Sequence, residues 1–235
     1  MVWNCSRRLH DKVPDLLRLR PDVAVLAECA CPEVLLRRLP PRTLGAGDLL
    51  WAGTEPSRGL GVATFGAWRG ACDPAHDRSR RGATLPVQLT GPAAALHLLA
   101  VWARPGAEPL RAAIQRHAPF LTSTPTIVAG DFNATLARSR RLAAELAALG
   151  FRSAYHHLHR VAPGEESEPT FFRLRRYPSR HHLDLVFVDA ATAEAITRVE
   201  VHVGARWSAW SDHVPVVVEL ECNSNVARPD ESRSW

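Results

Sequence analysis

Several features that define other classes of protein are absent from this sequence of 235 residues. It has no run of about 18 apolar residues, the length at which a segment becomes a candidate membrane span, and no signal-peptide pattern. No Pro/Gly/Ser-rich linker, charge block or internal repeat divides it. We therefore expect one domain at residues 1–221, a polar and flexible C-terminal tail at 222–235, and a cytoplasmic protein without a membrane partner. A monomer is the default expectation.

Cysteine is scarce and lacks metal-binding spacing. The five cysteines are Cys5, Cys29, Cys31, Cys72 and Cys222. Their number is odd, and the separation of Cys29 from Cys31 is too short for the usual CxxC ligand or redox pair. This argues against a zinc centre and a disulfide framework, and favours a reducing compartment.

Lysine is almost missing, because all but one of the basic residues are arginine. The formal net charge is +5, with a sequence pI near 9.3. A basic balance favours anionic partners, and the planar guanidinium suits bidentate contact with phosphate. Nucleic acid is therefore a candidate partner, although Arg- and Ala-rich coding would give the same composition.

The apolar pattern alternates between strand-like and helix-like segments. Helices are expected at 12–20, 32–39, 108–121 and 139–149, and strands at 1–3, 23–27, 59–65, 84–89, 96–102, 126–130, 183–188, 198–203 and 214–220. The last strand is almost wholly apolar, which predicts a central position. Residues 70–82 are expected to form a mobile surface loop, and residues 154–177 to be irregular. These elements predict a mixed α/β layered domain.

The segment 126–133 reads as a buried strand that ends at Gly130 and is followed by two polar residues. If the chain stays extended, Asp131 and Asn133 point the same way, so that an acceptor and a donor face one spot. This arrangement suits a water molecule or a phosphate. An Asx turn at the strand end is the alternative interpretation.

Other polar residues occupy equivalent places. Asn4 and Glu28 follow predicted strands as Asp131 does, whereas Asp184 and the Asp212-His213 pair precede strands. If the later strands run opposite to the earlier ones, all of these side chains meet at one edge. Carboxylates that close together repel unless a cation neutralises them. Oxygen ligands without Cys indicate Mg²⁺ or Mn²⁺ rather than Zn²⁺.

The same segments resemble the endonuclease/exonuclease/phosphatase superfamily, which includes DNase I-like and exonuclease III-like enzymes. The matching motifs, in order, are Trp3-Asn4-Cys5, 21–28, Gly130-Asp131-Phe132-Asn133, His182-Leu183-Asp184 and Ser211-Asp212-His213. They extend over nearly the whole chain. The segments 153–156 and 168–171 also resemble a branch of small bacterial proteins in this superfamily.

The resemblance implies a four-layer αββα sandwich, with two mixed, mostly antiparallel sheets face to face and helices outside. It also implies hydrolysis of a phosphoester with a metal held by Glu28, Asn4 and Asp212. Asp131 would orient or deprotonate the attacking water, and Asn133 would hold a phosphate oxygen. His213 would bond the scissile phosphate, with Asp184 orienting its other ring nitrogen.

The chain departs from the family pattern at two places. Trp102 stands where a Tyr or His that contacts phosphate is expected, and Trp cannot exchange a proton at neutral pH. Leu185 replaces an aromatic residue. Trp102, His182 and Trp210 are candidate substrate contacts. Packing in the wall, core or rim is the alternative for the two tryptophans, and a solvated loop position is the alternative for His182.

The leading hypothesis is a Mg²⁺- or Mn²⁺-dependent phosphodiesterase, an endonuclease that cleaves DNA in preference to RNA. One alternative is a phosphatase or phosphodiesterase of a small phosphorylated metabolite or lipid head group, and another is an inactive scaffold. A nucleophilic Cys5 or Cys29 acting with His213 would leave the carboxylates unexplained. Three arginines, Arg78, Arg80 and Arg81, either bind a phosphate backbone or form a solvated surface.

Overall fold

The computed structural model describes residues 1–40, 43, 48–73, 84–92, 94–103, 110–122, 125–172 and 180–221. The strands in these residues are β1 (Val2–Asn4), β2 (Val23–Cys29), β3 (Leu49–Glu55), β4 (Arg58–Thr64), β5 (Arg69–Cys72), β6 (Thr84–Thr90), β7 (Ala95–Trp102), β8 (Thr126–Asp131), β9 (Phe151–Ser153), β10 (Phe171–Phe172), β11 (Arg180–His181), β12 (Asp184–Asp189), β13 (Ile196–Val201) and β14 (Val216–Leu220). The helices are α1 (Leu9–Arg18), α2 (Pro32–Leu36), α3 (Leu110–Arg116), α4 (Ala118–Leu121), α5 (Arg140–Ala148), α6 (Ala154–His159), α7 (Ala190–Ala193) and α8 (Ala205–Ser208).

Two six-stranded sheets form the body of the fold, with the orders β13-β14-β1-β2-β4-β3 and β5-β6-β7-β8-β12-β9. Strands β10 and β11 form a separate pair. In the first sheet β1 is parallel to β2 and antiparallel to β14. In the second, β7 is parallel to β8, and β12 is antiparallel to β8. The ends of β1, β2, β7 and β8 and the start of β12 can therefore share one edge of the sandwich.

Alternating side chains build the layers, because successive residues of a strand face opposite sides of a sheet. In β7, Leu98 and Ala100 belong to the core between the sheets, whereas Leu99 and Val101 belong to a second core. That second core also contains Ile114 of α3 and residues of α4 and α5. On the other side, Trp3 packs edge-to-face on Trp207 of α8 at 5.4 Å. The mixed two-sheet sandwich with outer helices is thus confirmed.

Several local predictions were wrong. The expected loop at 70–82 contains β5 at its start, and the expected irregular segment at 154–177 contains α6 and β10. These elements are two to six residues long, too short for a periodic pattern to stand out. Strand β3 was missed as well. The helix expected at 108–121 divides at His117, because Pro119 cannot donate to the helical ladder.

The apolar last strand, β14, lies second from the edge rather than at the centre, and only its first residue is fully buried. The described residues do not include Cys222, the predicted tail at 222–235, or the three arginines Arg78, Arg80 and Arg81, which were expected either to bind a phosphate backbone or to form a solvated surface. Within the described part of the chain, no helix is long and apolar enough to cross a membrane.

Candidate active site

Polar side chains from both sheets meet at one edge of the sandwich. Asn4 ends β1, Asp131 ends β8 and Asp184 begins β12. The amide of Asn4 donates to Asp131 Oδ2 at 2.9 Å and thereby joins the sheets across the core. It also lies 3.5 Å from Glu28 Oε1. The structure therefore brings together residues that the sequence places far apart.

The segment after Gly130 is a turn and a polar site at once. The backbone N–H of Asn133 donates to Asp131 Oδ1 at 2.8 Å, which closes an Asx turn. Asn133 adopts a left-handed conformation, with φ of 49°, so the extended geometry assumed from the sequence does not persist. The two side chains meet because of the turn, and the Asn133 amide donates to Asp131 Oδ2 at 3.0 Å and to the carbonyl of Ala103.

Gly130 is required by the strand next to it. A Cβ at this position would lie 1.9 Å from the carbonyl oxygen of Val101 in β7. No side chain fits such a contact, so the glycine allows β7 and β8 to approach just before the polar residues begin.

His213 and Asp184 form a buried pair. The ring nitrogen Nδ1 of His213 lies 2.7 Å from Asp184 Oδ2, and both residues are at most 3% exposed. The backbone N–H of Asp184 donates to Thr170 Oγ at 3.0 Å. Ser211 accepts from the His213 backbone N–H and donates to the Asn4 carbonyl. This scaffold fixes the imidazole and directs Nε2 towards Asp131, whose Oδ2 is 4.0 Å away.

Burial and charge shift the pKa values of this group. Burial raises the pKa of Asp131 to about 7, and the nearby Asp184 carboxylate adds to the effect, although His213, Asn4 and Asn133 oppose it. Burial opposes the charged form of His213, but the Asp184 carboxylate outweighs it and, with Asp131 and Asp212, raises the His213 pKa to about 9. At neutral pH the imidazole is therefore protonated beside a carboxylate that can accept a proton.

Two groups of side chains could be considered for a metal. Ligand atoms of Asp131, Asp184 and His213 all lie within 4.8 Å of one another. However, His213 Nδ1 and Asp184 Oδ2 already face each other at 2.7 Å, so an ion between them would break that bond. We interpret this group as an acid–base unit.

The other group contains Glu28 and Asn4, the hard oxygen donors that Mg²⁺ and Mn²⁺ prefer. Glu28 lies in β2 rather than after it, and the strand bulges there, with φ of 58° at Glu28. The bulge turns the carboxylate towards Asn4. Asp212 is next to His213, and its carbonyl accepts from the Phe172 backbone at 2.8 Å. The chemistry of this donor set fits a divalent cation.

Arg58 is a site residue that sequence reasoning missed. Its Nη2 donates to Glu28 Oε1 at 2.7 Å, and its guanidinium carbon lies 5.0 Å from the centre of the Trp102 ring. Nothing in the local sequence points to it, because its place follows from the pairing of β4 with bulged β2. Thr170 and Ser211 were also missed as supports, although both lie in segments that carry the family resemblance.

The three candidate substrate contacts have different surroundings. Trp102 is 3% exposed and forms part of the site wall beneath Arg58. His182 is buried, and its Nδ1 bonds the carbonyl of Glu168 at 2.8 Å. With Arg138 and others it lines a pocket of about 240 Å³. Trp210 is 40% exposed, so its ring is accessible.

No protein-family model matches the sequence, and no curated protein matches it. Solved structures do match. The endonuclease domain of TRAS1, a telomere-specific non-LTR retrotransposon, has a TM-score of 0.71 at 15% identity, covering 94% of this chain and 96% of that one. The 3′ phosphatase NExo from Neisseria, bound to a product DNA hairpin, has a TM-score of 0.66 at 20% identity, with coverages of 94% and 98%.

An endonuclease/exonuclease/phosphatase family protein from Leptotrichia buccalis has a TM-score of 0.61 at 15% identity, with coverages of 94% and 98%. This chain therefore has the fold of the endonuclease/exonuclease/phosphatase superfamily, the DNase I-like sandwich. At these identities the likeness describes the fold, and the chemistry has to be argued from the side chains.

Proposed function

We propose that the protein is a divalent-metal-dependent phosphoester hydrolase, a phosphodiesterase that cleaves DNA in preference to RNA. The observation that carries the proposal is the 4.0 Å gap between Asp131 Oδ2 and His213 Nε2, with Asp184 bonded to the far side of the imidazole. A water or phosphate oxygen to one side of this pair can lie within hydrogen-bond distance of both atoms, a proton acceptor and a charged donor.

In this mechanism Asp131 accepts the proton of the attacking water, and its raised pKa of about 7 suits a base at neutral pH. His213 donates from Nε2 to a phosphate oxygen, and Asp184 holds the proton on Nδ1. Asn133 fixes the Asp131 carboxylate, and one of its two amide N–H donors turns to a phosphate oxygen when substrate binds.

Glu28, Asn4 and Asp212 would hold the metal, with Mg²⁺ or Mn²⁺ as the proposed ion. When bound, the ion would supply Lewis-acid stabilisation of charge on the phosphate oxygens. The protein's part is to present oxygen donors from β1, β2 and the segment before β14 at one edge. The Asn4 amide also connects this side of the site to Asp131.

DNA is proposed as the substrate because the fold neighbours include a DNA-bound 3′ phosphatase and a retrotransposon endonuclease domain. The basic composition and the exposed Trp210 beside the site agree with this choice. The proposed setting is the cytoplasm, since Cys5, Cys29 and Cys31 form no disulfide, and the proposed state is a monomer.

Hydrolysis of a small phosphoester is the second candidate. The observation in its favour is the pocket of about 240 Å³, which is lined by Arg138, His181 and His182. Its lining also includes Thr135, which is two residues after Asn133 in the sequence. A concave site that combines the Arg138 guanidinium with two imidazoles suits a small anion better than a duplex.

One experiment separates these candidates. Purified protein is incubated with supercoiled plasmid, single-stranded DNA, RNA and phosphomonoesters, each with Mg²⁺, Mn²⁺ or a chelator. We expect metal-dependent nicking of plasmid, and a loss of about 100-fold or more in Glu28→Ala and His213→Ala. Glu194→Gln, an exposed carboxylate far from the site, is the matched control. If none of the substrates is hydrolysed in a metal-dependent way, the enzyme proposal is refuted. If Glu28→Ala and His213→Ala both keep full activity, the assignment of the site residues is refuted.

A further inference from the structure

Arg58 connects two positions that the mechanism above leaves separate. It is the first residue of β4 and precedes Gly59, which pairs with Cys29 at the bulge, and it donates to Glu28 Oε1 at 2.7 Å. Its guanidinium lies over Trp102, the last residue of β7 in the other sheet. One side chain therefore spans both sheets at the edge where Glu28, Asn4 and Asp131 meet.

The bonding of Arg58 is incomplete for a purely structural residue. An arginine has five N–H donors. Among the described residues, the bond to Glu28 is the one hydrogen bond of this guanidinium, and its buried Nε has no partner. A buried donor without an acceptor costs about 1–3 kcal/mol. The side chain is still 33% exposed, and its Nη2 bond to Glu28 places the guanidinium beside the site.

Trp102 supplies a platform for this group. A guanidinium stacked on an indole face keeps its plane fixed and its edge free for hydrogen bonds. A fixed planar fork is the geometry that binds two phosphate oxygens together. The tryptophan thus cannot replace the expected Tyr or His itself, but it can hold a residue that does.

We propose that Arg58 is the phosphate-positioning residue of this site and acts from the Trp102 platform in place of a Tyr or His at position 102. Without ligands it neutralises Glu28. When a divalent cation takes the Glu28 carboxylate, the N–H group directed at Glu28 is released towards the substrate phosphate. This inference rests on the proposed phosphoester chemistry and adds the group that selects and orients the phosphate.

The proposal requires two effects of opposite sign. Removing Arg58 removes a competitor and a repelling charge at Glu28, so metal should bind more tightly. The same change removes a charge-assisted contact, so phosphate should bind more weakly. A side chain that only held the sheets together would weaken both ligands or neither.

The test uses the full chain with Arg58→Gln, Arg58→Lys and Trp102→Phe. Arg152→Gln is the matched control, because Arg152 forms an exposed ion pair with Glu194 away from the site. Mn²⁺ binding to metal-free protein is measured by calorimetry. Binding of thymidine 5′-monophosphate to Mn²⁺-saturated protein follows, together with kcat and KM for its p-nitrophenyl ester.

In Arg58→Gln we expect Mn²⁺ affinity to rise about threefold to tenfold, and nucleotide affinity to fall about 10-fold to 100-fold, the value of one charge-assisted hydrogen bond. KM should rise by a similar factor while kcat changes little, and Arg58→Lys should recover part of the loss. Trp102→Phe should weaken nucleotide binding less than Arg58→Gln. Arg152→Gln should match the wild type.

Loss of both affinities in Arg58→Gln, or unchanged nucleotide affinity and KM, would overturn the proposal. Thermal melting identifies a variant that fails to fold, and Arg58→Lys then carries the test, because it must still show weaker nucleotide binding than the wild type. If the wild type hydrolyses nothing, the proposed function fails, while the two binding measurements still decide the role of Arg58.

Discussion

Replacing Asp184 by Asn tests the buried pair with little change of shape. His213 is 3% exposed, and its Nδ1 lies 2.7 Å from Asp184 Oδ2. Burial alone would lower the His213 pKa, and the Asp184 carboxylate is the largest influence that raises it to about 9. The rise from the ordinary value of 6.5 corresponds to about 3 kcal/mol of preference for the charged imidazole.

This preference sets the size of the expected effect. At pH 7.5 a group with a pKa near 9 is roughly 97% protonated, whereas one at or below 6.5 is at most about 10% protonated. Asp184→Asn should therefore reduce the imidazolium population about tenfold at this pH. Loss of ring orientation adds to this, so kcat for a phosphodiester should fall about 100-fold.

The direct measurement is an NMR titration of the His213 ring in chelator-treated protein, in wild type and in Asp184→Asn. Glu194→Gln is the control, since that side chain is 71% exposed. Because the folded pKa is raised, the His213 contribution to stability is complete below pH 6.5 and disappears as the pH rises towards 9. A His213 pKa that stays near 9 in Asp184→Asn would refute the role given to this carboxylate.

Three further predictions follow from the fold around the site. Gly130→Ala places a Cβ 1.9 Å from the Val101 carbonyl oxygen, so urea denaturation should show a loss of about 3 kcal/mol or more, and wild-type stability would contradict the close approach. Burial raises the pKa of the Cys5 thiol to about 12, so iodoacetamide at pH 8 should leave Cys5 unmodified in folded protein, as peptide mass spectrometry can check. Burial lowers the pKa of His182, so the free energy of unfolding should fall as the pH drops below 6.5. In His182→Gln the free energy of unfolding should fall less over the same pH range. Equal pH dependence in both proteins would exclude His182 as the cause.

Much of the site could be predicted because each residue stands beside a recognisable strand. Asn4, Glu28 and Asp131 end apolar segments, and Asp184 begins one. A local pattern therefore places each residue at a strand end, and the order of the motifs suggests which ends meet. Because β1 runs parallel to β2 and β12 runs antiparallel to β8, these strand ends lie at the same edge of the sandwich.

Other parts of the site depend on pairing that no local pattern contains. Arg58 lies against Glu28 because β4 pairs with a strand that bulges at that position. A shift of one residue would turn Arg58 to the other face. For the same reason the sequence left Trp102 open between wall and substrate contact, whereas the structure buries it beneath Arg58. The strand β5 was missed since it has only four residues.

The site is also held together by bonds between the two ends of the chain. Trp3 Nε1 donates to the carbonyl of His213 across 210 positions, and Ser211 Oγ donates to the Asn4 carbonyl across 207. During synthesis β1 therefore emerges from the ribosome long before Ser211 and His213 are made. A nascent chain that lacks residues 211–213 has neither the imidazole nor these bonds, so it cannot assemble the site. The proposed hydrolysis could therefore begin only after the growing chain has extended past His213.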